Sequence, residues 1–289
     1  MGTYYKVYKI MWKRGKKYSI IFLITMKADI KRIYIFCSGG DIMITHNNME
    51  EYRDPINYDL EFGGETDKYN FYLELAKLNA GEVLELACGT GLTMIHIAKY
   101  GIKVSGIDIA PEMLQYARIK AEGLPVTFIE VDARTFELKK RFSMIYLTGN
   151  AFQAFLSDAD QISLLKTVYK HLKPNGVFAF ETRNPMGTDL SNEEETNWGQ
   201  FIDKDGILVQ VSGTQFYDEE NHIMHWATFR DWGFKRTTSR IACRFTDNDT
   251  LRSLLNNNGF NIENQYSDWN KTPFSPLAPT IISVCRKSE

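Results

Sequence analysis

The chain has few cysteines, and they do not pair in sequence. Cys37, Cys88, Cys243 and Cys285 are widely spaced and form no Cys-x-x-Cys unit. Neither a zinc site nor a disulfide framework is expected, and a reducing cytoplasm is the expected compartment. No apolar run is long enough to be read as a membrane span. Lys13 to Lys17 followed by Tyr18 to Met26 imitates a signal peptide, but the run stops after nine residues at Lys27 without a small-residue cleavage site. Ile35-Phe36-Cys37 lacks the small residues of a lipobox.

Positive charge is scarce over most of the length. Residues 1–45 carry nine Lys or Arg against two Asp (net +7), which leaves 25 basic and 34 acidic residues beyond them (net −9). A nucleic-acid partner, whose phosphates need a basic face, is therefore not expected. The basic segment is read as an extension that the domain does not require, upstream of an internal start at Met43 or Met49; membrane association and a docked arm are the alternatives. With 44% hydrophobic and 24% charged residues over 289 positions, the chain has an ordinary globular composition and can bury a substantial core.

The most informative stretch is Val83-Leu84-Glu85-Leu86-Ala87-Cys88-Gly89-Thr90-Gly91. Val83 to Leu86 has the character of a buried strand. Gly89 and Gly91 permit a sharp turn and a close approach by a ligand. Leu92, Ile95, Ile97 and Ala98 then recur at roughly helical spacing. A helix N-terminus facing a ligand favours polar or negative groups. Asp108 ends a second apolar strand, Ile102 to Ile107, seventeen residues past Gly91. A carboxylate at that place can accept hydrogen bonds from ribose hydroxyls.

A dinucleotide fingerprint would need a third glycine where Met94 stands. The pattern present is acid, x, small, x, Gly, x, Gly, formed by Glu85, Ala87, Gly89 and Gly91. It resembles motif I of class I S-adenosylmethionine-dependent methyltransferases, in which the position of Ala87 is usually glycine. A second resemblance is the run Leu172-Lys173-Pro174-Asn175-Gly176-Val177-Phe178, since such a turn commonly leads into the fifth strand of that family. The resemblance covers residues 82–185. It implies a doubly wound, Rossmann-like α/β fold with a seven-stranded, mostly parallel sheet. It also implies S-adenosylmethionine as cofactor, held by Tyr58, Glu85, Ala87, Gly89, Gly91, Asp108, Ile109, Met113, Asp132, Ala133, Leu147 and Asn150. Within that set the resemblance makes Asp132 the candidate to hold the adenine amino group, with a simple surface aspartate as the alternative; Met113 reads as core rather than adenine contact, and Asn150 either orients substrate or cofactor or is a plain turn residue.

In chain order, Asn48 to Phe62 mixes acids with Tyr52, Tyr58 and Phe62. It reads either as a solvated segment or as a flap whose aromatic faces and carboxylates suit a sulfonium. An amphipathic helix follows from Asp67 to Leu78. Pro111 opens the helix after Asp108, Val126 to Val131 forms a third strand, and Met144 to Leu147 a fourth that leads into Thr148 to Gln153. Ser157 and Asp160 have capping-box spacing at the start of a helix that ends near Leu172. The fifth strand is Val177 to Glu181. Beyond Pro185, a polar acidic stretch precedes alternating segments at 207–217, 222–232 and 236–245, which predict an antiparallel insertion at about 190–246. Asp247 caps a helix, and 260–266 and 280–285 supply the last strands. The domain expected is 46–289.

Methyl transfer from a sulfonium is an in-line displacement that depends mainly on alignment. The loop after the fourth strand lacks the Asn/Asp-Pro-Pro-aromatic tetrapeptide of base-modifying amino methyltransferases, so a small-molecule N or O acceptor is expected. Candidates to act on it are His225, Asn150 and Arg183, with His222, Asp268 or a tyrosine as further bases. Trp226, Arg230, Trp232 and Trp269 are candidates for an acceptor pocket. Other readings are a non-catalytic cofactor binder, a protein or RNA methyltransferase, and an NAD oxidoreductase. No metal is expected, and the oligomeric state is not readable.

Overall fold

The computed structural model describes the backbone of residues 6–14, 17–25, 31–37 and 42–44, and residues 48–288 with their side chains. The expectations placed on Cys37, on a start at Met43 and on the dispensability of residues 1–45 lie outside what is described. The chain divides into two units, Met1–Asn47 and Asn48–Glu289. In the first, β1 (Lys6–Arg14), β2 (Lys17–Thr25), β3 (Lys31–Cys37) and β4 (Ile42–Ile44) form an antiparallel meander in that order. The apolar run that resembled a signal peptide lies mostly on β2.

The second unit begins with α1 (Pro55–Phe62) and α2 (Thr66–Leu78). Asp54 caps α1 by accepting the Asn57 N–H at 3.2 Å, and Pro55 occupies its first turn, where a missing N–H costs nothing. Next come β5 (Val83–Leu86), α3 (Leu92–Ala98), β6 (Val104–Asp108), α4 (Pro111–Lys120), β7 (Val126–Glu130), β8 (Phe142–Leu147), α5 (Asp158–His171) and β9 (Leu172–Arg183). An insertion of β10 (Glu193–Ile202), β11 (Leu208–Asp218), β12 (Ile223–Asp231) and β13 (Arg236–Arg244) precedes α6 (Asn248–Asn257), β14 (Phe260–Tyr266) and β15 (Thr280–Lys287).

The main sheet has the order β14-β15-β9-β8-β5-β6-β7, and only β15 runs against its neighbours. This is the expected seven-stranded Rossmann-like sheet. The chain lays β6 and β7 on one side of β5 and then returns to place β8 on the other. The crevice at the carboxyl ends of β5 and β8 is thus a topological switch point, where open α/β sheets bind ligands.

Alternation divides the central strands between two cores. Leu84, Leu86, Ile145 and Leu147 pack with Leu165 and Val168 of α5 and Leu251 of α6. Val83, Met144 and Tyr146 pack with Phe71 and Tyr72 of α2 and Met94 of α3. Each core buries one apolar face of the sheet, the dominant favourable term in holding the helices to it.

Two elements differ from the reading of the sequence. The fifth strand already pairs at Leu172, opposite Phe142, and its register resumes with Met144 opposite Val177. Lys173 to Gly176 therefore form an excursion inside β9, with Asn175 at φ +57° supplying the reversal. The insertion has four strands where three were expected, in the order β10-β11-β12-β13. The additional strand, β10, is an acidic edge strand whose only buried residue is Phe201, so no alternating apolar pattern marked it. Charge on an edge strand also discourages pairing with another chain.

Candidate functional site

The loop after β5 turns by placing three residues in the left-handed region: Ala87 at φ +51°, Gly89 at +52° and Gly91 at +77°. For Ala87 that conformation carries a steric cost which glycine would not. Below the loop, Glu85 is 1% exposed. One oxygen accepts the Met94 N–H at the start of α3 and the Tyr146 hydroxyl, both at 3.0 Å; the other accepts the Thr148 hydroxyl at 3.0 Å. Burial pushes its pKa up to about 8 against the pull of these three donors. Glu85 thus braces the loop against α3 and β8 from below.

Asp108, at the end of β6, spans the turn from the side. It accepts the Gly89 N–H at 2.7 Å on one oxygen and the Ala110 N–H at 2.8 Å on the other. Burial raises its pKa, while these backbone donors oppose the shift. Ile109 beside it is 50% exposed, an apolar face next to a carboxylate. Met113 of α4 is buried, and its methyl lies 3.4 Å from where a Cβ on Gly89 would stand.

Past β7, Asp132 is half-buried and held in the fork of Arg134, with Nε at 3.0 and 3.1 Å from its two oxygens. That pairing holds its pKa below the usual range. Any contact from Asp132 to a ligand would share this carboxylate. Ala133 is buried behind it.

At the end of β8, Leu147 is buried and its carbonyl accepts the Tyr72 hydroxyl at 3.0 Å. Asn150 is left-handed at φ +57°, and its side-chain oxygen is buried with no hydrogen-bond partner among the described residues. A second buried carboxylate, Glu181 of β9, supports this loop by accepting the Gly149 N–H at 2.6 Å, the Asn150 N–H at 3.3 Å and the Tyr72 hydroxyl at 2.5 Å. Burial raises the Glu181 pKa, and the Lys68 charge is first among the influences that oppose it. Tyr72 and Tyr146 stack at 4.9 Å between the two carboxylates.

The Asn48 to Phe62 segment packs onto the loop. Asp59 of α1 receives hydrogen bonds from Thr90, inside the glycine turn, and from Lys120 of α4. The Tyr58 ring packs against Phe62 at a tilt of 51°, with centroids 4.9 Å apart, and lies 5.9 Å from Tyr52. Its hydroxyl is pushed far up, first by burial and then by the negative charges of Glu51, Asp59 and Asp108. Both tyrosines therefore sit within electrostatic reach of Asp108. Sequence reasoning missed Glu181 and Tyr72, and read Asp59 only as one acid of the flap; a carboxylate at the carboxyl end of a central strand was the available signal for the first.

The candidates of the variable half are dispersed. Arg183, the last residue of β9, stacks over the Trp226 ring at 4.9 Å. Trp232 donates to Asp203 at 2.8 Å beside Phe201, and Trp269 packs on Phe71 at 5.5 Å, so neither shares a cluster with Trp226. Arg230 is tied to Glu51 and to Glu61, the latter at 2.5 Å. His225 points to the face of β12 opposite Trp226, across from Phe216 with ring centroids at 6.2 Å. His222 lies in the β11–β12 turn at φ +56° within 3.3 Å of the Tyr217 hydroxyl. Asp268 caps a local turn, accepting the Asn270 N–H at 2.9 Å and the Thr272 N–H at 3.2 Å. A depression of ≈ 500 Å³ lined by Gly81, Glu82, Ile102 and Lys103 sits at the amino ends of the strands, away from all of these groups.

Residues 83–176 match the family model described as a methyltransferase domain. Those residues carry a methyltransferase domain of the class I S-adenosylmethionine-dependent kind. It is 24% identical over 228 residues to YqeM of Bacillus subtilis, a protein provisionally named a methyltransferase, across 77% of this chain and 91% of that one. Its fold is shared with the CcbJ methyltransferase of Streptomyces caelestis, with a TM-score of 0.73, 20% identity and coverage of 84% of this chain and 100% of that one. It is likewise shared with an S-adenosylmethionine-dependent methyltransferase of Clostridium acetobutylicum, with a TM-score of 0.70, 19% identity and coverage of 81% and 97%. Among the described residues no helix of this methyltransferase is long and apolar enough to cross a membrane.

Proposed function

We propose that this methyltransferase binds S-adenosylmethionine across the carboxyl ends of β5, β6 and β8 and methylates an N or O nucleophile of a small-molecule acceptor in the cytoplasm. The observation that carries the reading is the cradle itself. Gly89 leaves the partly exposed rim of the turn without a Cβ, Gly91 lets the turn close against Ile95 and Phe128, and Asp108 stands beside Gly89 with lone pairs left over for ribose hydroxyls. Exposed Ile109, after the end of β6, offers an apolar face for adenine, and Asp132, after β7, a polar edge. On the other side, Leu147 and the unpartnered Asn150 oxygen suit the amino-acid end of the cofactor, whose ammonium can donate.

When bound, the cofactor supplies a methyl group made electrophilic by its sulfonium. The chain's own part is orientation and exclusion of water. Tyr52 and Tyr58 pair with ring centroids 5.9 Å apart within electrostatic reach of Asp108, and their π faces favour a cation. Oriented partners reach effective molarities of roughly 10⁵ to 10⁸ M, so placement alone can supply much of the rate. A base is needed only for an acceptor that arrives protonated. The acidic body argues for a small acceptor over nucleic acid.

The test is titration of the protein with S-adenosylhomocysteine by calorimetry, followed by methyl transfer from labelled S-adenosylmethionine to a panel of small amines, phenols and acids. Failure to bind S-adenosylhomocysteine would overturn the proposal.

A further inference from the structure

Resting on that reading, we infer that Arg183 anchors a carboxylate of the methyl acceptor, so that the acceptor is a small anionic molecule with its N or O nucleophile near an acid group. The starting point is an imbalance among the arginines. Six arginines among the described residues are half-buried: Arg134, Arg183, Arg230, Arg240, Arg244 and Arg286. Five have a carboxylate within ion-pairing distance: Asp132 and Asp160 for Arg134, Glu51 and Glu61 for Arg230, Glu50 for Arg240, Asp158 for Arg244 and Glu263 for Arg286. Arg183 is the exception. A guanidinium withdrawn from water without an anion among the described residues carries a desolvation cost that the other five offset.

Its surroundings occupy the guanidinium only in part. The Trp226 ring lies 4.9 Å from it and engages its face. Nη1 reaches Gln153 Oε1 at 3.4 Å, a long contact, and the Arg183 charge works against the burial that pushes up the Cys243 thiol. A guanidinium has five N–H donors lying in its plane. Stacking on an aromatic face leaves those edges available, and their fork matches a carboxylate in bidentate geometry.

Position supplies the second argument. Gln153 belongs to the loop that leaves β8, and it accepts the Arg183 backbone N–H at 3.1 Å as well. Arg183 stands two residues beyond Glu181, which holds Gly149 and Asn150 of the same loop. The guanidinium is therefore mounted on the rim where an acceptor must meet the donor, on a strand end fixed by Gln153. Gln153 is 1% exposed and is itself tied to the Arg244 carbonyl at 3.0 Å. A single positive charge matches a carboxylate. A phosphate, with its larger charge, would need more cations than a body with 25 basic and 34 acidic residues past position 45 places here.

The experiment uses the full-length protein with S-adenosylhomocysteine bound. Matched pairs of small amino and phenolic carboxylic acids and their carboxamides are titrated by calorimetry, with phosphate monoesters as a third arm, and the same compounds are assayed for methyl transfer. Acids should bind at least about tenfold more tightly than their amides, and Arg183→Met should erase that preference through KM more than kcat. Arg183→Lys should restore it only in part, because the charge returns without the fork. Unchanged S-adenosylhomocysteine affinity and melting temperature show that the variants are folded. Equal binding of acids and amides, a preference for phosphates, or no acid binding at all to a protein that binds S-adenosylhomocysteine would each overturn the inference. Loss of S-adenosylhomocysteine binding by the wild-type protein would instead remove the reading on which it rests.

Discussion

Asp108 and Gly89 are joined by a 2.7 Å hydrogen bond from the glycine N–H to the carboxylate, which locks the glycine turn to the end of the neighbouring strand. One side chain thus shapes the cradle and presents its remaining lone pairs to a ligand. At a hundred times its Kd, S-adenosylhomocysteine should stabilise the wild-type protein by about 2.7 kcal/mol. Asp108→Ala is expected to abolish most of the corresponding thermal shift. Asp247→Ala, which removes only the cap of α6, should lower stability by about 1 kcal/mol and leave the shift intact. Identical behaviour of the two variants would rule out the assignment.

Ala87 has φ +51° in the position where related loops carry glycine. The left-handed conformation costs an L-residue roughly 1–2 kcal/mol, and glycine gives back about 0.5–1 kcal/mol of that through its freer unfolded chain. Ala87→Gly should therefore raise stability by up to about 1 kcal/mol in denaturant unfolding. A lower midpoint would mean that the methyl group makes contacts worth more than the strain.

The parts of this molecule legible in the sequence are those whose cause is local. Val83 to Leu86 is buried at all four positions and read as a strand from its composition. Ser157 and Asp247 read as caps, and both accept the expected N–H groups. What escaped depends on partners far along the chain. Tyr72 and Glu181 meet across 109 residues, and Arg230 finds Glu61 across 169. A polar side chain seen alone in sequence looks solvated until the fold supplies its partner. Strand β10 escaped for a different reason, because an edge strand rich in Glu lacks the alternation that marks a half-buried one.

Glu85 couples the site to pH. Its folded pKa is raised from 4.5 to about 8 by burial, so between those values the folded protein holds a proton that the unfolded chain releases. Stability must then fall as pH rises through that window, by up to about 1.4 kcal/mol per pH unit from this group. Glu85→Gln mimics the neutral form and should flatten the profile. Chemical denaturation of both proteins from pH 5 to pH 9 checks this. Parallel profiles would show that the three hydrogen bonds keep Glu85 ionised throughout.

Arg230, Glu51 and Glu61 join the insertion to the segment that carries Tyr52 and Tyr58. Their side chains are 11%, 8% and 12% exposed, and Ser239 bonds both Arg230, at 2.7 Å, and Glu51. Breaking a buried pair by removing one partner typically costs about 3–5 kcal/mol, because the other charge is left buried. Arg230→Leu strands two carboxylates and should destabilise the protein by that order. The loss should be local as well as global, since these carboxylates secure the segment that carries the two tyrosines. Amide exchange in residues 50–62 should accelerate more than in β5 or β8, and S-adenosylhomocysteine affinity should fall with it. The triple variant with Glu51→Gln and Glu61→Gln should recover part of the stability by removing the stranded charges. If it recovers stability without cofactor affinity, the ion pairs serve mainly to position the flap; uniform acceleration of exchange would make them a support of the whole fold.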